Sequence, residues 1–229
     1  MKKIFALLAV FGFFTNTAYG EAVTITKDDV TSALDIEAAI NTATGFGSEP
    51  GIVILDGSKG SFTYTGPDKS INIAVSNLKL LGIKGATIIN CDDGLFFDGV
   101  TAGNILIKGI AFQCTGDGID GLPGLWENVR VQNNLFKAAS FGIIIRNPVN
   151  WRIRNNTITA GTGQVQAAVA FIGGTDSTIE NNALTAFNGV ALTNFFASAS
   201  TGNRVVRNHI EAFERECFWM EKPPKTGWR

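Results

Sequence analysis

A short repeat constrains this chain more than any other feature. From Gly94 onward a small-residue-led apolar tetrad recurs as Gly94-Leu-Phe-Phe97, Gly118-Ile-Asp-Gly121, Gly142-Ile-Ile-Ile145, Ala168-Val-Ala-Phe171 and Gly189-Val-Ala-Leu192, at offsets of 24, 24, 26 and 21 residues. A second segment travels with it, over 104–109, 128–133, 150–155, 176–181 and 203–208. Apolar and polar residues tend to alternate within these segments, as in a strand with one face in a core and the other in water. Periods of this size indicate a solenoid.

The second strand ends in Asn134, Asn156, Asn182 and Asn208, spaced 22, 26 and 26 residues, and leads on to Phe136, Ile158, Leu184 and Ile210. One residue type at one point of every coil implies stacking. Asparagine tolerates the left-handed backbone of a sharp turn, and its amide both donates and accepts. These four residues are therefore expected to form a structural ladder rather than a ligand site.

On these repeats the chain resembles the right-handed parallel β-helix proteins of the pectin-lyase-like superfamily, from about Ile36 to the C-terminus. The resemblance implies an all-β, right-handed, single-stranded parallel β-helix. It also implies export and an association with polysaccharide, by binding or by processing. A fold of this kind does not fix an activity. The open readings are a polysaccharide-associated protein, a piece of a polysaccharide lyase or glycoside hydrolase, and a structural or adhesive solenoid.

The ends of the chain have their own signatures. Residues 1–20 carry Lys2-Lys3, an apolar run over 4–14 and Ala18-Tyr19-Gly20, a signal-peptide pattern that predicts a mature start at Glu21 and a periplasmic or secreted destination. No second apolar run follows, so no membrane span is expected in the mature chain. Segment 21–50 should cap the solenoid: Ala33, Leu34, Ile36, Ala39, Ile40 and Ala43 fall at helical spacing between Ser32 and Gly45. About six coils are expected over 51–211, beginning with Gly51-Ile-Val-Ile-Leu55. In 212–229, Cys217 aligns with Gly189 and Thr226-Gly-Trp-Arg229 with Thr201-Gly-Asn-Arg204, so the last coil reads as incomplete. That leaves a fragment of a longer solenoid, or an open end covered by self-association.

Charge and cysteine content narrow the partners. Without Lys2 and Lys3 there are 17 basic against 20 acidic side chains, a balance of −3, which argues against a general nucleic-acid binder while leaving a local basic groove open. Cys91 and Cys114 lie 23 residues apart, about one coil, and either pair or stack; two buried thiols are the favoured reading. One histidine and no CxxC make zinc improbable.

The segment Thr115-Gly-Asp-Gly-Ile-Asp120 resembles part of the polygalacturonase site, which implies a catalytic role for Asp117. The family's other catalytic groups have no counterpart at Ser140-Phe141, Gln166-Ala167-Ala168 or near Gly189. A lyase-type alternative combines Asp117 and Asp120 with Arg146 as cation or base, and Asp92, Asp93 and Asp117 as ligands of a calcium ion. The competing reading of these charges is a solvated turn edge. Trp126 and Trp151, 25 residues apart, form either a sugar-stacking platform or core rungs. Phe96, Phe97, Phe112 and Phe136 are read as inward, and the departures at 161–166 and 195–202 as groove walls.

Overall fold

The computed structural model describes residues 22–65, 68–98, 102–163, 165–193 and 200–220, without the side chains of 214–220. The expected leader and residues 221–229 lie outside the described residues, as does most of the 195–202 departure.

Parallel strands dominate. One ladder stacks eight strands: Ala22–Thr26, Gly51–Asp56, Leu78–Ile83, Leu106–Lys108, Arg130–Gln132, Arg152–Arg154, Thr178–Glu180 and Arg204–Val206. Seven of these strands run from Gly51–Asp56 onward, one more than the repeat count suggests, and Ala22–Thr26 adds an eighth rung by pairing in parallel with Gly51–Asp56. A second ladder runs from Phe62–Thr63 and a third from Ile71–Ile73; they merge where Ala183–Thr193 and His209–Met220 each run unbroken through both. Two-residue strands from Ala102–Gly103 to Ser200–Thr201, such as Trp126–Glu127 paired with Pro148–Val149, link the third ladder back to the first in five coils. This is a parallel β-helix.

Register explains the repeat. Val53, Leu80, Ile107, Val131, Ile153 and Ile179 stack inward on the first ladder. Phe62, Ile88, Phe112, Phe136, Ile158 and Leu184 do so on the second, where the Phe112 and Phe136 rings lie 5.1 Å apart and 5° from parallel. Side chains equivalent by period face one another across each rung, and the removal of apolar surface from water stabilises the coils. The glycines of the tetrad serve close approach: a Cβ on Gly94, Gly118 or Gly142 would lie 2.5, 2.3 or 2.4 Å from the carbonyl oxygen of the next rung.

Helix α1, Ala33–Ala43, buries Ala33, Ile36, Ala39, Ile40 and Ala43 over the N-terminal end of this core, as its spacing predicts. Asp35 accepts the Ser32 N–H at 3.0 Å and fixes its start, while Gly45 and Phe46 take positive φ after its end.

The asparagine pairs divide two tasks. Asn133, Asn155 and Asn181 hold the left-handed backbone, at φ of 57°, 54° and 54°. The following Asn134, Asn156 and Asn182 turn inward and are buried. Asn156 Oδ1 accepts from the backbone N–H and the Nδ2 of Asn134, and Asn156 Nδ2 donates to Val131 O and to Asn182 Oδ1. Asn208 closes the row by accepting from Asn182. The structural ladder stands as expected, with the turn conformation carried by its neighbours.

Two expectations are corrected. Cys91 and Cys114 form a disulfide rather than a pair of buried thiols: Asn90, at φ 60°, shifts the register so that Cys91 meets Cys114, with Cα atoms 4.5 Å apart. At the other end, Cys217 pairs with Val190 rather than Gly189: the register shift between Ala186 and Asn188 lengthens the offset from 26 to 27 residues, one short of the 28 that the alignment with Gly189 needs.

The ladder and the disulfide each lead to a prediction. Asn156→Ala orphans buried groups on both neighbouring rungs and should lower unfolding free energy by about 3 kcal/mol, whereas Asn155→Gly should change it by less than about 0.5 kcal/mol; denaturant titration measures both. Reducing the Cys91–Cys114 disulfide should cost about 3 kcal/mol by the same assay, since the bond closes a loop of some two dozen residues in the unfolded chain.

Candidate functional site

The outward column of the third ladder brings together Asn72, Phe96, Asp120, Ile144, Ala170 and Ala191 on successive rungs. Strict alternation sets this: Leu95 and Phe97 point inward and are buried, so Phe96 between them points outward and is partly exposed. The inward reading holds for Phe97, Phe112 and Phe136 and fails for Phe96. Sequence reasoning had the signal, a period of two, and missed it because Phe96-Phe97 looks uniformly apolar.

Arg146 reaches back one rung to Asp120, with Nη1 2.9 Å from Asp120 Oδ1 and 2.8 Å from Gly121 O. Both side chains are about a quarter exposed or less, at 26% and 20%, so the pair is shielded yet reachable. Beyond Asp120 the face becomes apolar, where Ile144, Ala167, Ala170 and Ala191 cluster with Phe141 and Ile172 against them.

Asp117 and Asp93 belong to the turn leading into this ladder. Ser70 Oγ accepts the Asp93 N–H, Asp93 Oδ1 accepts the Asp117 N–H at 2.8 Å, and Asp117 Oδ1 accepts the Phe141 N–H at 2.7 Å. The Thr115-Gly-Asp-Gly-Ile-Asp120 segment is thus a rung-to-rung turn whose aspartate caps the next coil. Burial pushes the Asp117 carboxyl above its ordinary value, aided by the charge of Asp120 and opposed by hydrogen bonds from Ser140 and Phe141 and by Arg146. Burial likewise raises Asp93, with the charges of Asp117, Asp120 and Asp92 adding to it and the Asp117 N–H opposing.

The calcium reading is not supported by this geometry. Asp92 is exposed and accepts from Thr115 Oγ1, whereas Asp93 and Asp117 aim their oxygens at backbone N–H groups. Among the described residues no three His, Cys, Asp or Glu side chains gather where they could hold a metal ion.

The tryptophan platform is corrected outright. Trp126 and Trp151 are both 0% exposed; Trp151 Nε1 donates to Trp126 O at 2.9 Å, and the Phe97 ring lies 4.8 Å and 5.5 Å from the two indoles. They are core rungs at the corner between the third and first ladders.

With the geometry in hand, comparison with known proteins adds a family. The family model for "Periplasmic copper-binding protein (NosD)" matches residues 40–220. The chain belongs to the NosD family. Among solved structures, a pectate lyase from Bacillus sp. N165 in complex with trigalacturonate aligns at 13% identity and a TM-score of 0.46, covering 92% of this chain and 85% of that one. No curated protein matches.

The copper in the NosD family description finds little to bind here. The sequence holds one His, two Met and three Cys. Cys91 and Cys114 are consumed by their disulfide, and His209 lies exposed with the carboxylate Oε1 of Glu211 beside it, at 3.3 Å. Copper favours imidazole, thiolate and thioether donors, and the described residues do not assemble such a set.

The buried carboxyls predict a pH dependence. Because Asp93 and Asp117 are raised above 3.8 in the folded state, the native chain binds more protons than the unfolded one in the window opening at that value. Their contribution to stability therefore falls as pH rises through the window and levels off above the folded values. Asn at both positions keeps the N–H acceptors and removes the charge. The melting temperature of the Asp93→Asn/Asp117→Asn variant relative to wild type should climb between about pH 4 and about pH 7.

Proposed function

We propose that this NosD-family chain is an exported, periplasmic β-helix protein that binds polysaccharide on the outer face of its third ladder, through Phe96, Asp120 and Arg146. The observation carrying this reading is the partly exposed Phe96 ring one rung from the Asp120–Arg146 pair. Sugars offer vicinal hydroxyls, which a carboxylate and a guanidinium held together can accept from and donate to, and apolar C–H faces, which an aromatic ring covers. The leader-like residues 1–20 and the Cys91–Cys114 disulfide support the exported location.

Binding is favoured over turnover by what the charged groups already do. Arg146 is engaged by Asp120 and Gly121 O, and Asp117 by the Phe141 N–H, so neither stands free as the base that a lyase requires. A glycosidase pair needs two carboxyl groups free to act on the bond between them, whereas Asp117 caps the Phe141 N–H and Asp120 is held by Arg146.

Glycan-array binding of the mature protein tests the proposal. Phe96→Ala and Arg146→Ala should each weaken retention about tenfold or more, with no unsaturated product formed from a uronate polymer. Turnover abolished by Asp117→Asn and Arg146→Ala would instead establish a lyase, and array binding unaffected by either site variant would remove the site.

A further inference from the structure

On the outer face of the first ladder, well away from the Phe96–Arg146 site, the repeat carries a different chemistry. From Leu78 onward the outward positions include Lys79, Lys108, Arg130, Arg152, Arg154 and Arg204, all exposed. Glu180 is the one acidic side chain among those outward positions, and Arg207 pairs with it at 3.5 Å. Among the described residues Lys79, Lys108, Arg130, Arg152 and Arg204 make no ion pair. A chain with a formal net charge of −1 thus concentrates unpaired cations on one sheet face.

The cations are also aligned. Lys79, Leu106, Arg130, Arg152, Thr178 and Arg204 form a single column in register, spanning about 24 Å at the usual strand spacing. Along its edge Asn104, Asn128 and Asn150 take the left-handed conformation, at φ of 58°, 57° and 52°. Their exposed amides hydrogen-bond one rung to the next, Asn104 to Asn77 and Asn150 to Asn128. Lys79, Leu106, Arg130 and Arg152 line a groove with this amide rail.

We propose that this groove binds a linear anionic glycan running along the solenoid axis, its carboxylate or phosphate groups meeting the cation column and its hydroxyls the amide rail. Guanidinium groups engage carboxylate and phosphate in a bidentate fashion, and like charges lining one groove focus the field that draws a polyanion in. Single-stranded nucleic acid is disfavoured by the lining: base binding uses aromatic stacking platforms, and the groove's apolar contributions come from Ile105 and Leu106 alone. The proposal does not depend on the third-ladder site, because no residue is shared.

Affinity electrophoresis of the mature protein tests it, through gels containing polygalacturonate, a phosphodiester-linked glycan or neutral dextran, with labelled oligo-dT measured by anisotropy. Arg130→Glu/Arg152→Glu, which alters only exposed positions, should keep the wild-type melting temperature and lose retention on at least one anionic glycan about tenfold or more. The gel that responds identifies carboxylate or phosphate as the anion, and retention should weaken between about 50 and about 300 mM NaCl. Dextran retention equal to that on the anionic glycans, or unchanged retention in the charge-reversed variant, would overturn the proposal. Oligo-dT binding as tight as the glycan would overturn its glycan specificity. Loss in Arg146→Ala but not in Arg130→Glu/Arg152→Glu would move the glycan to the third ladder, sinking this inference while leaving the other site intact.

Discussion

Everything displayed on the surface of this solenoid depends on the buried amide row of Asn134, Asn156, Asn182 and Asn208. Each coil must reverse direction between the first and second ladders, and a reversal strands backbone groups where no ladder partner exists. The asparagines resolve this, as Asn156 does, by accepting the backbone N–H and donating to a strand carbonyl of the preceding rung while donating to the amide oxygen of the next. Because Asn134, Asn156 and Asn182 each have partners above and below, the rungs they join are locked at one height and one rotation. The inserted residue at Asn90, where the disulfide forms, is the kind of local irregularity that such a row tolerates without losing register elsewhere.

Fixed register converts a one-dimensional sequence pattern into columns on a surface. An outward residue repeated at the period becomes an aligned row one strand spacing apart, as Arg130 and Arg152 do; a residue used once becomes a local feature, as Phe96 does. The two proposed surfaces follow from this difference. The first ladder presents repetition suited to a polymer with recurring charge, and the third presents a single aromatic and ion-pair site suited to one or two sugar rings. The Asp93–Asp117–Phe141 turn supports the second by joining the entries to the strands that carry Phe96, Asp120 and Arg146.

Period was the most legible property of the sequence, and the β-helix, the capping helix Ala33–Ala43 and the asparagine ladder all followed from it. What period could not resolve was the phase of neighbouring positions. Asn133 and Asn134 look alike in sequence, yet one takes the strained backbone and the other the buried bonds. Phe96 and Phe97 differ only by which side of the pleat they occupy. The tryptophans match the period equally well as platform or as core, and their burial shows only in tertiary contacts, with Phe97 against both rings and Trp151 Nε1 donating to Trp126 O. The disulfide was missed because a spacing of 23 residues places two cysteines near each other but does not reveal that a left-handed residue brings their Cα atoms opposite. The rung at Ala22–Thr26 escaped notice because it lacks the asparagine that marks later coils.

The catalytic expectation shows how a motif can be real and yet carry a different task. Thr115-Gly-Asp-Gly-Ile-Asp120 is constrained at Gly118, where a Cβ would lie 2.3 Å from the Gly142 carbonyl, and at Asp117, whose carboxylate caps the Phe141 N–H. Both constraints are those of stacking one coil on the next and would hold in a solenoid with no chemistry at all. A site is distinguished from its scaffold by groups whose bonding capacity the fold leaves unspent. Among the described residues, the outward Phe96 and the column of Lys79, Arg130, Arg152 and Arg204, which make no ion pair, meet that description, and the two proposals rest on them, with the Asp120–Arg146 pair beside Phe96. Asp117 is held by the turn it builds.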